Sequence, residues 1–165
     1  MIHLQFAEIP QPFNKRIELA RNNSRFEPNC YGTAFFLLGV LPYDMVIYTG
    51  KGLIRSALNR MNVSSSPQIH SIMVSCDKDD GILHTSYIET AAPLTGYQRR
   101  GSEGEFTRVN SLSDVEDYLK SLSPESFFGG ASVKYKHNYF TLREGDSLKD
   151  WAEKIVAQYH PDWYD

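Results

Sequence analysis

The sequence predicts a single α+β domain, in which helices and a mainly antiparallel sheet occupy separate stretches of the chain. Helical patterns dominate residues 1–61, a β-hairpin pattern follows at residues 68–90, and helical patterns return near the C-terminus. Segregated elements of this kind are typical of α+β proteins. A length of 165 residues is enough to bury one hydrophobic core, so we expect one domain over residues 1–165.

The composition excludes several classes of protein. Charged residues make up 22 % of the chain, the formal net charge is −3, and the basic residues are scattered, so we expect no nucleic-acid partner. No apolar run reaches the roughly 18 to 20 residues that span a bilayer, so we expect no membrane partner. The first twenty residues lack the apolar core of a secretory signal, which predicts a cytoplasmic location or export without a cleaved signal peptide.

The N-terminal elements begin with a short alternating piece at residues 2–9, followed by a predicted helical turn at residues 14–23. The next element is clearer. Asn29 is a good N-cap residue, the apolar residues from Tyr31 to Leu38 cover nearly every side, and Gly39 follows them. This pattern predicts a helix that is surrounded by protein.

Three further elements precede the middle of the chain. Residues 44–48 are strand-like or the edge of a helix, and residues 50–62 have apolar side chains at helical spacing. Two β-rich runs then flank the acidic turn at residues 77–81, which predicts a hairpin. One face of its first strand carries His70, Ile72, Val74 and Cys76, and one face of the second carries Ile82, His84, Ser86 and Ile88. Because most of these residues are apolar, we expect both histidines to point into the core.

The segment at residues 93–110 contains three glycines and many polar residues, so we expect a loop with at most a short strand. Tyr97, Arg99 and Arg100 lie in it. They could bind a carboxylate, although a solvated loop also explains them.

The remaining elements alternate between helix and strand. Residues 111–122 predict a helix with a capping box from Ser113 to Glu116, and residues 131–143 predict a strand or hairpin with a turn at His137 and Asn138. A last helix is expected to start at Ser147.

Cys30 directly follows the predicted N-cap and should begin its helix. There the unpaired backbone N–H groups and the helix dipole favour a thiolate and lower the thiol pKa. A thiolate is the form that attacks a carbonyl carbon. Gly32 is costly inside a helix, which indicates close approach of a substrate or of another backbone. The alternative is that Cys30 and Gly32 are only small residues in a crowded helix.

The two hairpin histidines favour a catalytic interpretation of Cys30. A nucleophile, a base and an orienting group must converge in space, and a helix start packed on a hairpin allows this. One histidine would take the thiol proton while the other would hold its ring by a hydrogen bond.

The residues from Asn29 to Glu89 resemble the NlpC-type branch of the papain-like cysteine peptidases. The resemblance rests on a buried helix that opens with Asn-Cys-Tyr-Gly, a strand that opens with His-Ser-Ile, and a second strand that carries a polar residue, His84. It implies a papain-like fold with the cysteine at the start of a buried helix packed on a mainly antiparallel sheet. It also implies that Cys30 is the nucleophile, His70 the base and His84 the orienting residue.

The same resemblance implies the chemistry. The chain would cleave an amide bond through a thioester, with Asn29, Tyr31 and Gly32 next to the substrate and with no cofactor or metal. The family-typical substrate is peptidoglycan or a similar peptide, and an enzyme of this type can be a secreted effector with an immunity or secretion partner. A deamidase or acyltransferase that acts on a protein is an alternative. A binding or scaffold domain that keeps the fold without the chemistry is another.

The hairpin register tests whether His70 and His84 can act together on Cys30. If the strands fold back around Lys78, Cys76 faces Asp80 and His70 lies diagonal to His84, within reach of a hydrogen bond. If a three-residue turn precedes the second strand instead, Cys76 faces His84 and His70 has no partner.

Other candidate sites have less support. Cys30, Cys76, His70 and His84 could hold zinc, but no closely spaced pair of ligands anchors such a site. His137 is the reserve base if His70 does not serve.

Overall fold

The described residues form a six-stranded antiparallel sheet with helices on both faces, which confirms the α+β class. The computed structural model of the protein describes residues 13–23, 28–47, 50–100, 104–122 and 134–159. The helices are α1 (Phe13–Arg21), α2 (Cys30–Leu38), α3 (Gly50–Leu58), α4 (Leu112–Leu122) and α5 (Lys149–Tyr159). The strands are β1 (Met61–Ser64), β2 (Ser71–Cys76), β3 (Ile82–Ala91), β4 (Leu94–Arg99), β5 (Phe106–Val109) and β6 (Lys136–Leu142). The sheet order is β1-β6-β2-β3-β4-β5.

The two faces of the sheet bury different helices. Residues of α1, α2, α3 and α5 pack with Ile72, Val74 and Tyr87 in the larger hydrophobic cluster. On the other side, α4 packs with Met73 and Ile88 in a smaller cluster. We call these sides the α2 face and the α4 face. Successive side chains of a strand point to alternate faces of the sheet. Since helices cover both faces, every residue of β2 is buried.

Helix α2 forms where the sequence predicts it. The Asn29 side chain accepts the N–H of Gly32 at the helix start, and Gly39 ends the helix in the left-handed conformation with φ 92°. Eight of its nine residues are buried, including Cys30. A helix that is apolar on all sides is stable only when protein covers all sides, and α2 lies between the sheet and three other helices.

Several predicted elements differ from the structure. The expected loop at residues 93–110 contains the strands β4 and β5, because the ladder hydrogen bonds of β4 to β3 and of β5 to β4 outweigh a polar, glycine-bearing composition. Strand β6 runs without a turn through His137 and Asn138, since both residues pair with β2. The strand-like residues 44–47 form no regular element.

Two predicted helix starts are also shifted. Helix α4 begins at Leu112, so Ser113 lies inside it and the predicted capping box does not form. Helix α5 begins at Lys149, because Leu148 has a φ of 58° that no helix accommodates. The predicted opening strand at residues 2–9 lies outside the described residues.

The hairpin of β2 and β3 forms with its predicted turn but in neither predicted register. Asp77 caps the turn by accepting the N–H groups of Asp79 and Gly81. In the ladder, Ser75 faces His84 and Cys76 faces Ile82, so Leu83 is an extra residue that forms a β-bulge.

The bulge decides where His84 points. It separates the faces of Ile82 and His84, which a regular strand would place on the same side. Ile82 packs into the larger cluster on the α2 face. His84 points to the α4 face, where its ring lies 4.9 Å from that of Tyr118 of α4. The prediction that these two residues share a face is therefore wrong.

Candidate functional site

Cys30 is the first residue of α2, as the sequence predicts. Its carbonyl oxygen accepts a hydrogen bond of 2.9 Å from the hydroxyl of Thr85 on β3. This contact joins the start of the helix to the centre of the sheet. Cys30 is 7 % exposed, and it is a free cysteine.

The chemical setting of the Cys30 thiol is the opposite of the predicted one. Burial raises the thiol pKa, and hydrogen bonds from Thr85 and from the N–H groups at the helix start offset this only in part. Neither histidine of the hairpin hydrogen-bonds to the thiol in the described part of the chain. The thiol is therefore the favoured form at neutral pH.

His70 lies at the far end of α2 from Cys30. It is exposed, so the prediction that it points into the core is wrong. It precedes the first residue of β2, its φ is 54°, and its Nδ1 bonds to the hydroxyl of Tyr87. Partial burial and the charge of Arg16 lower its pKa, while the carbonyl of Leu38 raises it. Because Leu38 is the last residue of α2, the helix rise of about 1.5 Å per residue places His70 some 12 Å along the axis from Cys30.

His84 lies on the opposite face of the sheet from Cys30. Thr85, which contacts Cys30, is the next residue of the same strand, so the side chain of His84 points away from α2. The structure therefore does not bring Cys30, His70 and His84 together.

The three residues predicted to contact substrate are engaged within the fold. The Asn29 amide oxygen accepts the N–H of Gly32, and its amide nitrogen donates to the carbonyl of Ile47. A Cβ on Gly32 would lie 1.5 Å from the carbonyl oxygen of Met45, so the glycine is required by a second backbone segment. Tyr31 is half-buried, and burial raises its pKa to about 12.

The expected solvated loop residues are partly buried too. Arg99 is 5 % exposed on β4 and pairs with Asp44, which is likewise 5 % exposed, at 2.8 Å. Tyr97 packs in the larger cluster. Arg100 lies over the ring of Tyr118, with its guanidinium carbon 5.8 Å from the ring centre.

A different set of residues has the geometry of a nucleophile, a base and an orienting group. The hydroxyl of Ser75 on β2 lies 2.9 Å from Nδ1 of His137 on β6. Nε2 of the same ring lies 3.0 Å from a carboxylate oxygen of Glu116 on α4. Ser75 and His137 are direct partners in the ladder, so the sheet register itself sets the first distance. We call Ser75, His137 and Glu116 the serine relay.

The hydrogen bonds of the serine relay fix the tautomer of the neutral ring. A carboxylate only accepts hydrogen bonds, so Nε2 of His137 donates to Glu116. Nδ1 then carries a lone pair and accepts the hydroxyl hydrogen of Ser75. This is the arrangement in which a histidine can remove a proton from a serine.

Other polar side chains lie next to the serine relay on the α4 face. His84 is the ladder partner of Ser75 on the other side of β2. Its Nε2 donates to the amide oxygen of Gln98 on β4 at 2.8 Å. Burial lowers the pKa of His84 to about 4, so the ring is neutral at pH 7.

Sequence reasoning missed Ser75, Glu116 and Gln98. Ser75 lies between Val74 and Cys76 in the sequence, so its side chain is predicted to point to the opposite face of β2 from theirs. The sequence pattern does not show that this opposite face is buried. The sequence pattern assigns Glu116 to a capping box with Ser113, which gives no reason to place it in a site. Gln98 lies in the segment that is expected to be a loop. His137, the predicted reserve base, could be found as a histidine in a β-rich run.

No group of three or more histidine, cysteine or acidic side chains in the described residues could hold a metal ion. None of the helices described is long and apolar enough to cross a membrane. Comparisons with protein-family models, with curated proteins and with solved structures give no match to the chain.

Proposed function

We propose that the chain is an acyl hydrolase, acting on an amide or ester, in which Ser75 is the nucleophile, His137 the base and Glu116 the group that orients the base. The observation that carries the proposal is the pair of hydrogen bonds at 2.9 Å and 3.0 Å that joins the three side chains. A nucleophile bonded to a base that is itself oriented by a third group is the general signature of nucleophilic catalysis.

The reaction class is the one that the resemblance to NlpC-type peptidases implies, but the nucleophile is different. Cys30 has a buried thiol with a raised pKa, and His70 and His84 bond to Tyr87 and Gln98 and not to this thiol. The geometry thus gives no support to the thioester mechanism. The papain-like fold, a peptide substrate and a secretion or immunity partner remain proposals that rest on the resemblance.

The chemical steps need only the serine relay and water. The Ser75 oxygen attacks the carbonyl carbon while its proton passes to Nδ1 of His137. Glu116 stabilises the imidazolium that forms. The proton then moves to the leaving amine or alcohol, and a water molecule releases the acyl group by the same steps.

Access to Ser75 requires a movement of α4. Ser75 is 0 % exposed, and α4 packs over this face through Val115 and Leu119. Its ring contact to His84 and the bond from Glu116 add to this packing. On this proposal, catalysis takes place in a form in which α4 has moved away from Ser75.

A second candidate function is a binding or scaffold domain without catalysis. The complete burial of Ser75 favours this second function, since a substrate does not reach a buried hydroxyl. The hydrogen bonds of the serine relay would then serve to hold α4 against the sheet.

A fluorophosphonate probe separates the two functions, since it reacts only with an activated serine. We expect the probe to attach to Ser75, as mapped by mass spectrometry, and Ser75→Ala to abolish both labelling and hydrolysis of a p-nitrophenyl ester. His137→Gln should slow both by about 10² to 10⁴, the usual contribution of a general base. Ser71→Ala is the matched control, because Ser71 is also 0 % exposed on β2 but donates to the carbonyl of Gln68.

The same assay tests the thiol mechanism. If Cys30→Ala loses hydrolysis while Ser75→Ala keeps it, the serine relay is not the active site. If a folded wild-type protein is neither labelled nor hydrolytic, the binding function is the one supported. Circular dichroism of each variant shows whether a loss of activity is a loss of fold.

A further inference from the structure

Five buried side-chain atoms of the described residues lack a hydrogen-bond partner, and three of the five lie on the same face of neighbouring strands. These three are Oγ of Ser86 on β3, Nε2 of Gln98 on β4 and Oγ1 of Thr107 on β5. Ser86 is 0 % and Gln98 is 2 % exposed. Buried polar atoms are nearly always paired, so three that are unpaired in one place require an explanation.

The sheet register brings these three atoms into one row. Gln98 and Thr107 are ladder partners. Ser86 precedes Tyr87, and Tyr87 pairs with Tyr97, so an antiparallel ladder places Ser86 beside Gln98. Each of the three lies on the α4 face, because Ile88 and Val109 of that hydrophobic cluster are two residues away from Ser86 and Thr107 on the same strands.

The surroundings of the row carry little charge. His84, which bonds to the oxygen of the Gln98 amide, is neutral at pH 7 because burial lowers its pKa. Glu116 bonds to His137, and the guanidinium of Arg100 lies against the ring of Tyr118, from where its charge also acts to lower the pKa of His84. A charged ligand would be costly to bury here without a counter-charge.

We propose that Ser86, Gln98 and Thr107 form a binding site for the carboxamide group of a small uncharged ligand. The Gln98 Nε2 group donates to the carbonyl oxygen of the ligand. The hydroxyl of Thr107 donates to the same carbonyl oxygen, and the hydroxyl oxygen of Ser86, on the other side of Gln98, accepts a hydrogen of the ligand's amide nitrogen. If the Gln98 amide is turned over, its oxygen is the unpaired atom and it accepts a ligand N–H instead, so a carboxamide satisfies either orientation.

This binding site goes beyond the proposed hydrolysis and does not require Ser75 to react. It lies next to the serine relay, since His84 contacts Gln98 and is the ladder partner of Ser75. A bound amide would therefore lie close to the proposed nucleophile.

The test is a nuclear magnetic resonance titration of the ¹⁵N-labelled full chain with propionamide, observed at the side-chain amide signal of Gln98. That signal is assigned by its loss in Gln98→Leu. We expect a saturable shift with propionamide and none with propionate, which has the same shape but a charge. Ser86→Ala should weaken binding roughly tenfold, the equivalent of about 1.4 kcal/mol and of one hydrogen bond. Ser71→Ala is the matched control and should bind as the wild type does.

Several outcomes would overturn the site. They are the absence of a saturable shift, equal shifts with propionate and propionamide, and equal binding by Ser86→Ala and wild type. A long-lived water that contacts Ser86 and is not displaced by propionamide would also overturn it, because that water would account for the unpaired atoms. Since the readout is a chemical shift, loss of hydrolysis with retained binding contradicts only the proposed function.

Discussion

The Cys30 thiol shows how two effects on one residue compete. The N-cap and the helix start are local features, so the sequence places Cys30 correctly. The helix dipole contributes only about 0.3–1 kcal/mol toward a thiolate at an exposed helix end. Burial opposes it and raises the thiol pKa. Desolvation outweighs the dipole here because packed protein, and not water, surrounds the sulfur.

His84 should make the stability of the fold depend on pH. Burial lowers its pKa from 6.5 to about 4, so the unfolded chain binds a proton between these values and the folded chain does not. The contribution of His84 to stability is therefore complete above pH 6.5 and decreases as the pH falls toward 4. From this residue alone we expect the free energy of unfolding to be about 3 kcal/mol lower at pH 4 than at pH 7.

Urea unfolding of wild type and His84→Gln at the two pH values measures this effect. The variant should show a smaller loss at pH 4, since glutamine does not titrate. Equal losses in both proteins would contradict the assignment. A proton titration of the His84 ring by nuclear magnetic resonance is the direct check.

At the scale of elements, the bulge at Leu83 and the strands β4 and β5 explain most of the difference between expectation and structure. One extra residue in β3 changes the face of every side chain that follows it, including His84. Strands β4 and β5 exist because each pairs with a neighbour, and a pairing between distant segments leaves little trace in composition. A local pattern predicts an element well only when its own residues decide its structure.

Glycines in two helices should respond in opposite ways to the same substitution. Gly32→Ala in α2 drives a Cβ into the carbonyl of Met45, and we expect a loss of about 3 kcal/mol in the free energy of unfolding. Gly52→Ala in α3 meets nothing within 4 Å and should gain about 0.5–1 kcal/mol, since alanine favours a helix.

Thermal and urea unfolding of the two variants measure both effects. A Gly32→Ala protein as stable as wild type would show that the segment at Met45 can move away from α2. Each variant is the control for the other. A general effect of replacing glycine by alanine in a helix would change the free energy of unfolding in the same direction in both.

At the scale of the whole molecule, a buried ion pair joins four segments of the chain. Asp44 follows α2, and Arg99 lies at the end of β4. Thr33 of α2 donates to Asp44 and accepts from Arg99, and Arg99 also donates to the carbonyl of Ala20 at the end of α1. The pKa of Asp44 is raised by burial, although Arg99 acts against this. The charged form of Asp44 is therefore stable in the core only while Arg99 is present beside it.

Removal of Arg99 should destabilise the fold strongly. We expect Arg99→Met to lower the free energy of unfolding by about 3–5 kcal/mol at pH 7, because it leaves a carboxylate buried without its counter-charge. Arg108→Met is the matched control. Arg108 is half-exposed, lies 4.0 Å from Glu89 and donates to the hydroxyl of Tyr97, so the loss of these solvent-accessible contacts should cost about 1 kcal/mol.

A double-mutant cycle with Asp44→Asn tests the coupling. The loss in the double variant should be well below the sum of the two single losses, as measured by urea unfolding. Additive losses would mean that the two side chains act separately.

The sequence by itself determined the α+β class, the helix that begins at Cys30 and the hairpin with its acidic turn. These features depend on caps, periodicity and turn residues, which are properties of short segments. Only the tertiary structure decided the register and bulge of β3, the pairing of β4 and β5, and the burial of Arg99. The same long-range pairings separate Cys30 from both histidines and bring Ser75, His137 and Glu116 together. Catalytic geometry depends on the relative placement of distant segments, and that placement is set by packing of the whole molecule.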